Sequence, residues 1–80
     1  MVKRLEVNAF SRSYLEKLVL NTIIEIIPAA TCRECISLEE VLNCRVKQIG
    51  ERAFDGCDKL KHIDLTNVET IEDYAFRGCY

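Results

Sequence analysis

The chain has 80 residues, a net charge of −2 and a hydrophobic content of 49%. This size suits one small domain over residues 1–80, and the hydrophobic content excludes a disordered chain. No basic patch is present to neutralise phosphates, so we expect no nucleic-acid partner and no attraction to an anionic membrane. The longest apolar stretch, residues 18–27, is interrupted by Asn21, Thr22 and Glu25 and is too short to span a bilayer.

The first predicted element is a short strand near Val19, within residues 5–23. Its apolar residues align with those of the later copies when one residue after Tyr14 is skipped in the alignment. This segment is therefore predicted to be the first and most divergent copy of a repeat. Its marker residues are Ala9, Phe10, Leu15, Leu18 and Leu20.

A second copy occupies residues 24–45 and predicts a strand near Val41. This copy has drifted, because Glu34 stands where the next copy has glycine and Asn43 stands where it has leucine. Its apolar positions still return 22 residues later in the chain. The matched pairs are Ile27 with Ile49, Cys35 with Cys57, Leu38 with Leu60, Val41 with Ile63, and Val46 with Val68.

The clearest copies lie within residues 46–80. The series Ile-x-x-x-Ala-Phe-x-Gly-Cys runs from Ile49 to Cys57 and returns from Ile71 to Cys79. Chance rarely preserves five identities at a fixed offset, and a period of this size is typical of a solenoid rung. Solenoid rungs build extended surfaces, so the repeat favours binding over catalysis.

Each copy has two halves with different patterns. Ile63 and Leu65 alternate with polar residues, which is the period of a half-buried strand. Gly56 punctuates the other half, which predicts a short extended piece followed by one helical or 3₁₀ turn. The predicted fold is an α/β solenoid: a leucine-rich repeat array with parallel strands on the concave face and short helical turns on the convex side. It holds about three 22-residue repeats, of which the last is incomplete.

The combined series, from Ile49 through Ala-Phe-x-Gly-Cys to Leu65, resembles the BspA-like or Treponema-type leucine-rich repeat. Ordinary leucine-rich repeats lack Ala-Phe-x-Gly-Cys. The resemblance is closest over residues 46–80 and extends through 24–45 and 5–23. It implies a curved solenoid with parallel strands on its concave face. It also implies adhesion or protein binding, because members of the family are typically long arrays in bacterial surface proteins and in protists.

The location of the protein is left open by the sequence. The first eight residues lack the apolar core of a signal peptide, which favours the cytoplasm unless a targeting segment was removed. The family resemblance points instead to a cell surface.

Five cysteines admit three interpretations. Cys35, Cys57 and Cys79 occupy one position of the repeat, which favours buried apolar cysteines. Cys32, Cys35, Cys44 and Cys57 would supply four thiolates for zinc, although their spacing matches no common zinc fold. Disulfides between stacked rungs are the third interpretation, but parallel side chains in register do not offer suitable Cβ vectors. We expect reduced thiols, no metal and no cofactor.

Catalytic motifs are not evident in this sequence. The one histidine, His62, falls at an outward strand position, and no serine lies in a nucleophile elbow. The three glycines are spread through the turns and form no phosphate loop. We therefore expect that the protein is not an enzyme.

Strand alternation predicts a binding surface of three outward rows. Val19 and Leu42 are apolar at outward positions, where a protein partner would bury them. The alternative is that scattered exposed aliphatic side chains need no explanation. A third row is predicted to hold Asn21, Cys44 and Thr66. The predicted surface residues are Lys17, Val19, Glu40, Leu42, His62 and Asp64.

Two function classes follow from this reading. One is a protein–protein interaction module, whose partner is another protein or a second copy of the chain. The other is a structural subunit or fragment of a larger solenoid or assembly, because an array that stops at Tyr80 exposes the apolar face of its last rung unless a neighbour covers it.

Overall fold

Six short strands carry the fold in the computed structural model, which describes residues 4–42 and 44–79. The strands alternate between two sheets along the chain. Their bounds are β1 Lys17–Val19, β2 Ile26–Ile27, β3 Glu40–Leu42, β4 Gln48–Ile49, β5 His62–Ile63 and β6 Thr70–Ile71. The strands predicted near Val19, Val41 and Ile63 are confirmed.

Every strand pairing is parallel. The first sheet has the order β1-β3-β5 and the second has the order β2-β4-β6. Lys17 pairs with Glu40, whereas Glu40 pairs with His62, so the first offset is one residue longer than the second. This difference is the single-residue adjustment that the sequence required in the first copy. We name the three stacked turns of chain the first rung (residues 15–36), the second rung (37–58) and the third rung (59–79).

A stack of turns forms the third side of each rung. The N–H of Phe10 donates to the carbonyl of Thr31 at 2.8 Å, and the N–H of Phe54 donates to that of Ala75 at the same distance. The turn segments 8–12, 30–34, 52–56 and 74–78 are therefore bonded to one another in series. The chain is hydrogen-bonded from rung to rung on all three sides.

These segments are turns and not helices, so the predicted helical or 3₁₀ conformation is not confirmed. The residues that the structure describes contain hydrogen-bonded turns and no helix of either kind. In the second rung, Arg52 has a φ of 57° and Gly56 a φ of 83°. Two left-handed residues within five positions prevent the consecutive right-handed geometry that a helix needs.

The core is a set of columns that run through the rungs. Phe54 is fully buried, and its ring stacks on Phe76 with centroids 5.4 Å apart and planes 8° from parallel. Phe10 is partly buried against the same core, and Cys32 fills its column position with no exposure. Phe54 and Phe76 therefore form an aromatic column in which Phe54 is buried and Phe76 is only partly buried. The other fully buried side chains include Leu20, Ile27, Leu38, Ile49 and Cys57.

Two positions that the sequence singled out, Asn43 and Tyr80, lie outside the described residues. Within the described part of the chain, no helix has the length and hydropathy that crossing a membrane requires.

Candidate interaction surface

The outward side chains of the first sheet form one continuous surface, which we call the strand face. Lys17, Glu40 and His62 share a row because β1, β3 and β5 pair in register. Val19 and Leu42 share the next row, and Asp64 follows β5 at the same repeat position. The six residues of the strand face are Lys17, Val19, Glu40, Leu42, His62 and Asp64.

Alternation along each strand sets this surface apart from the core. Leu18 and Val41 are 2% and 3% exposed and point inward, whereas Leu42 is 37% exposed. Val19 and Glu40 are half-buried. All six residues predicted for the surface therefore reach solvent at least partly.

An open depression lies at the β5 end of the strand face. Its volume is about 390 Å³, and its walls combine aliphatic side chains with charged ones. The lining residues are Val41, Leu42, Lys61, His62, Ile63 and Asp64. Three of the six predicted surface residues line it, and Lys61 is an addition that the sequence analysis missed.

The charges around the depression are fixed by short contacts. Lys61 Nζ lies 3.6 Å from a carboxylate oxygen of Glu39 in the preceding rung. The Thr66 hydroxyl and N–H both donate to Asp64 Oδ1, and these hydrogen bonds lower the pKa of the Asp64 carboxyl. Asp64 is therefore an anion at neutral pH and contributes a fixed negative charge to the rim.

Cys44 corrects one prediction. The sequence placed it in an outward row between Asn21 and Thr66, but it is only 3% exposed. The cause is that β3 ends at Leu42, so Cys44 lies beyond the strand. Side chains alternate between inward and outward directions only while the backbone stays extended. This alternation therefore does not predict the direction of a residue beyond the end of the strand.

The repeated cysteines donate hydrogen bonds across the rungs. The thiol of Cys35 donates to the carbonyl of Phe10 at 2.9 Å, that of Cys57 to Cys32 at 2.9 Å, and that of Cys79 to Phe54 at 3.1 Å. All five cysteines are free, and Cys32, Cys35 and Cys57 are fully buried. The column position therefore suits a side chain that is small, apolar and able to donate one weak hydrogen bond.

The pKa values of four of the five cysteines are raised, which favours the protonated form of these thiols. Hydrogen bonding to Cys35, together with burial, raises the pKa of Cys32 and of Cys57. Burial also raises the pKa of Cys44 and of Cys79. Among the described residues, no group of three or more His, Cys, Asp or Glu side chains is arranged to hold a metal ion.

Columns of alternating charge are a second feature that the sequence analysis missed. Lys47 pairs with Glu25 at 3.6 Å, and Asp55 pairs with Arg77 at 2.8 Å and with Arg33 at 3.9 Å. Each partner stands one period away in the sequence. These ion pairs could have been predicted from the sequence, because the repeat period shows which residues stack and opposite charges recur at that spacing.

Comparison with known families agrees with the repeat pattern. The family model described as the BspA type leucine rich repeat region (6 copies) matches residues 2–80. No curated protein and no solved structure matches the chain significantly. The family match therefore rests on a sequence pattern that spans nearly all of the chain, and the parallel rungs agree with it.

Proposed function

Because the chain belongs to the BspA-type leucine-rich repeat family, we propose that it is a protein-interaction module that binds its partner through the strand face. Leucine-rich repeats generally serve as protein-interaction modules. The observation that carries the proposal is the register of β1, β3 and β5, which gathers outward side chains from three separate segments into one surface.

The rigidity of the strand face supports binding. Five of the six outward side chains stand on strands whose backbones are hydrogen-bonded to their neighbours, and Val41 directly beneath the surface is buried. Side chains held in this way lose little conformational entropy when a partner covers them.

The distribution of polarity supports a protein as the partner. Leu42 offers an apolar contact at the centre of the face, and Val19 lies beside it in register. Lys61 and Asp64 place charges of both signs at the rim of the adjacent depression. An apolar centre with a polar rim is the usual anatomy of a protein interface.

The proposed role is non-catalytic. The single histidine, His62, is exposed on the strand face, with Glu40 beside it in register. A solvated side chain on an open sheet suits a contact residue better than a general base, which works in a site that excludes water.

Paired substitutions on the strand face test the proposal. Purified protein is immobilised and exposed to an extract of its source cells, and retained proteins are quantified by mass spectrometry. A partner identified in this way is then purified for affinity measurement. Leu42→Asp and Val19→Asp should each weaken its binding at least tenfold, or about 1.4 kcal/mol, because each buries a carboxylate in the interface.

The matched control is Gln48→Asp, which changes an exposed residue of the second sheet. It should bind like the unmodified chain, and circular dichroism should show that all three variants are folded. If folded Leu42→Asp and Val19→Asp retain every partner at full affinity, the strand face is not the interface.

A second candidate function is that of a structural subunit or fragment of a larger solenoid or assembly, in which a neighbour covers the last rung. The observation that favours it is Ile71, which is 50% exposed although its counterpart Ile49 is fully buried. Size-exclusion chromatography with light scattering separates the two functions. A stable monomer favours the module, and an obligate assembly favours the subunit.

A further inference from the structure

The depression on the strand face lies across two strands that pair with each other. Its lining includes Val41 of β3 and Ile63 of β5, which are partners in register. Leu42 adds an aliphatic side chain that is 37% exposed, and Ile63 is half-buried. The volume of about 390 Å³ falls near the lower end of the range for ligand pockets, roughly 300–1,000 Å³. A depression of this size suits the insertion of one long side chain from a partner.

Asp64 gives the depression a fixed negative charge. The hydroxyl and the N–H of Thr66 both donate to Asp64 Oδ1, which holds the carboxylate in place and leaves the acceptor capacity of Oδ2 for a partner. These hydrogen bonds, and to a smaller extent the charge of Arg45, lower the pKa of the Asp64 carboxyl. Within the residues that the structure describes, Asp64 nevertheless forms no ion pair.

Other charges on and beside the strand face offset one another. Lys61 Nζ lies 3.6 Å from a carboxylate oxygen of Glu39, so this pair carries no net charge. Glu40, the next acidic residue of the strand face, stands in register with Lys17. What remains is the carboxylate of Asp64 beside an aliphatic surface. This combination matches a side chain that has a long apolar stem and a cationic head.

We propose that the depression receives an arginine side chain of the protein partner that binds the strand face. Its guanidinium lies on Asp64, and its methylene groups cover Leu42 and Ile63. Arginine fits better than lysine because a planar guanidinium offers several donors in a fixed fork to a carboxylate that is itself held in place. This inference rests on the proposed function, since it names the side chain that anchors the partner.

An acidic side chain is the competing occupant, with Lys61 as its contact. It would have to displace Glu39 from Lys61, and it would bring a second negative charge next to Asp64. Like charges placed together are unfavourable in an interface. The charges around the depression therefore favour a basic anchor.

Four blocked pentapeptides serve as probes. Each has glycine and serine around one central residue, which is arginine, citrulline, lysine or glutamate; citrulline has nearly the shape of arginine without its charge. They are titrated at millimolar concentration into the purified chain under reducing conditions, and amide signals are followed by nuclear magnetic resonance. The arginine peptide should shift the signals of Leu42, His62 and Asp64. It should bind at least roughly threefold more tightly than each of the other three, as suits one solvent-accessible ion pair.

Asp64→Asn is the decisive variant. Asparagine keeps an oxygen that accepts from Thr66 and loses only the charge, so the fold should be retained. The arginine peptide should then bind no more tightly than the citrulline peptide. The matched control is Asp58→Asn, which neutralises an exposed aspartate outside the depression and should keep the preference. High salt should reduce the preference, because it screens the charges.

This test and the test of the proposed function have separate outcomes. Val19 does not line the depression, so Val19→Asp should leave the preference for arginine unchanged even where it abolishes binding of the partner. Equal binding of the arginine and citrulline peptides, including no binding of either, overturns the arginine anchor. So does a lysine or glutamate peptide that binds as tightly as the arginine peptide. If Leu42→Asp and Val19→Asp still abolish partner binding in that case, the strand face remains the interface and only the anchor is wrong.

Discussion

The second and third rungs share most of their core-type residues but have different environments. Ile49 is fully buried and Ile71, one period later, is 50% exposed. Phe54 is likewise fully buried, whereas Phe76 is only partly so. The two rungs share register and turn conformation, so the difference comes from the number of neighbouring rungs. In a solenoid, burial is a property of the stack.

The turns show the same contrast in their polar contacts. Asp55 in the second rung is 6% exposed and lies between arginines from both neighbouring rungs. Arg77 in the third rung makes two hydrogen bonds to Asp55, at 3.1 and 2.8 Å, while its side chain remains 52% exposed. A residue of the second rung therefore contributes to two interfaces, and a residue of the third rung to one.

The aromatic column gives the largest test of this contrast. Phe54→Ala should lower the free energy of unfolding by about 3–5 kcal/mol, as large-to-small changes in a core do. Phe76→Ala removes the same atoms from a half-covered site and should cost less than half as much. Urea denaturation of both variants measures the two values. Equal losses would mean that the third rung is as well covered as the second.

The left-handed turn position that holds Glu34, Gly56 and Gly78 gives an effect of intermediate size on the stability of the protein. Glu34 has a φ of 58° where the later rungs have Gly56 and Gly78, at 83° and 80°. Because residues with a Cβ are strained by about 1–2 kcal/mol in this conformation, Gly56→Ala should destabilise the protein by that amount. Glu34→Gly should stabilise it by up to about 1 kcal/mol, after the loss of an exposed contact with Arg12 is subtracted.

Glu34→Gln is the matched control for that pair, because it removes the charge and keeps the Cβ. It should be neutral or slightly destabilising in thermal melts and urea titrations. A stabilising Glu34→Gln would show that charge, not backbone strain, limits this turn.

The cysteines at one position of the repeat, Cys35, Cys57 and Cys79, give the smallest and most local test of the contrast between rungs. Cys79 is half-buried, whereas Cys35 and Cys57 at the equivalent positions are fully buried. Iodoacetamide followed by mass spectrometry should therefore label Cys79 first, and Cys35 and Cys57 only when denaturant is added. Since burial raises the pKa of Cys79, its labelling should still accelerate as the pH rises above 9.

Simultaneous labelling of Cys57 and Cys79 would contradict the order of burial. Elemental analysis of the same sample tests the expectation that the thiols carry no metal, because stoichiometric zinc would support a site at Cys32 and Cys35 instead.

The strand face was predictable because strand alternation is local. Once Leu18 and Val41 were assigned to the core, their flanking residues had to point outward. The period, with its one-residue adjustment in the first copy, placed Lys17, Glu40 and His62 in one row. The depression beside β5 was not predictable in this way, because its shape depends on how Lys61 and Asp64 pack after the strands have paired.

The turn half of each rung has a backbone conformation that the local sequence pattern did not predict. Gly56 and Gly78 occupy left-handed positions, which their lack of a Cβ permits. Arg52 and Tyr74 adopt this conformation too, at φ of 57° and 60°, without any glycine to signal it. A hydrogen bond to the next rung holds Arg52 in place, from its N–H to the carbonyl of Asp73 at 3.1 Å. Because segments 52–56 and 74–78 each have a left-handed residue near both ends, they form hydrogen-bonded turns and not the expected helical or 3₁₀ turn.

The sequence by itself determined the period, the parallel stacking and the identity of the core columns, because these follow from which apolar residues recur 22 positions apart. Only the tertiary structure decided that the short extended pieces form a second sheet, that Cys44 is buried, and that Ile71 is exposed while Ile49 is not. The physical reason is that a repeat fixes the direction of each side chain within its rung. Exposure depends on the rungs above and below, which are neighbours in space and not in sequence.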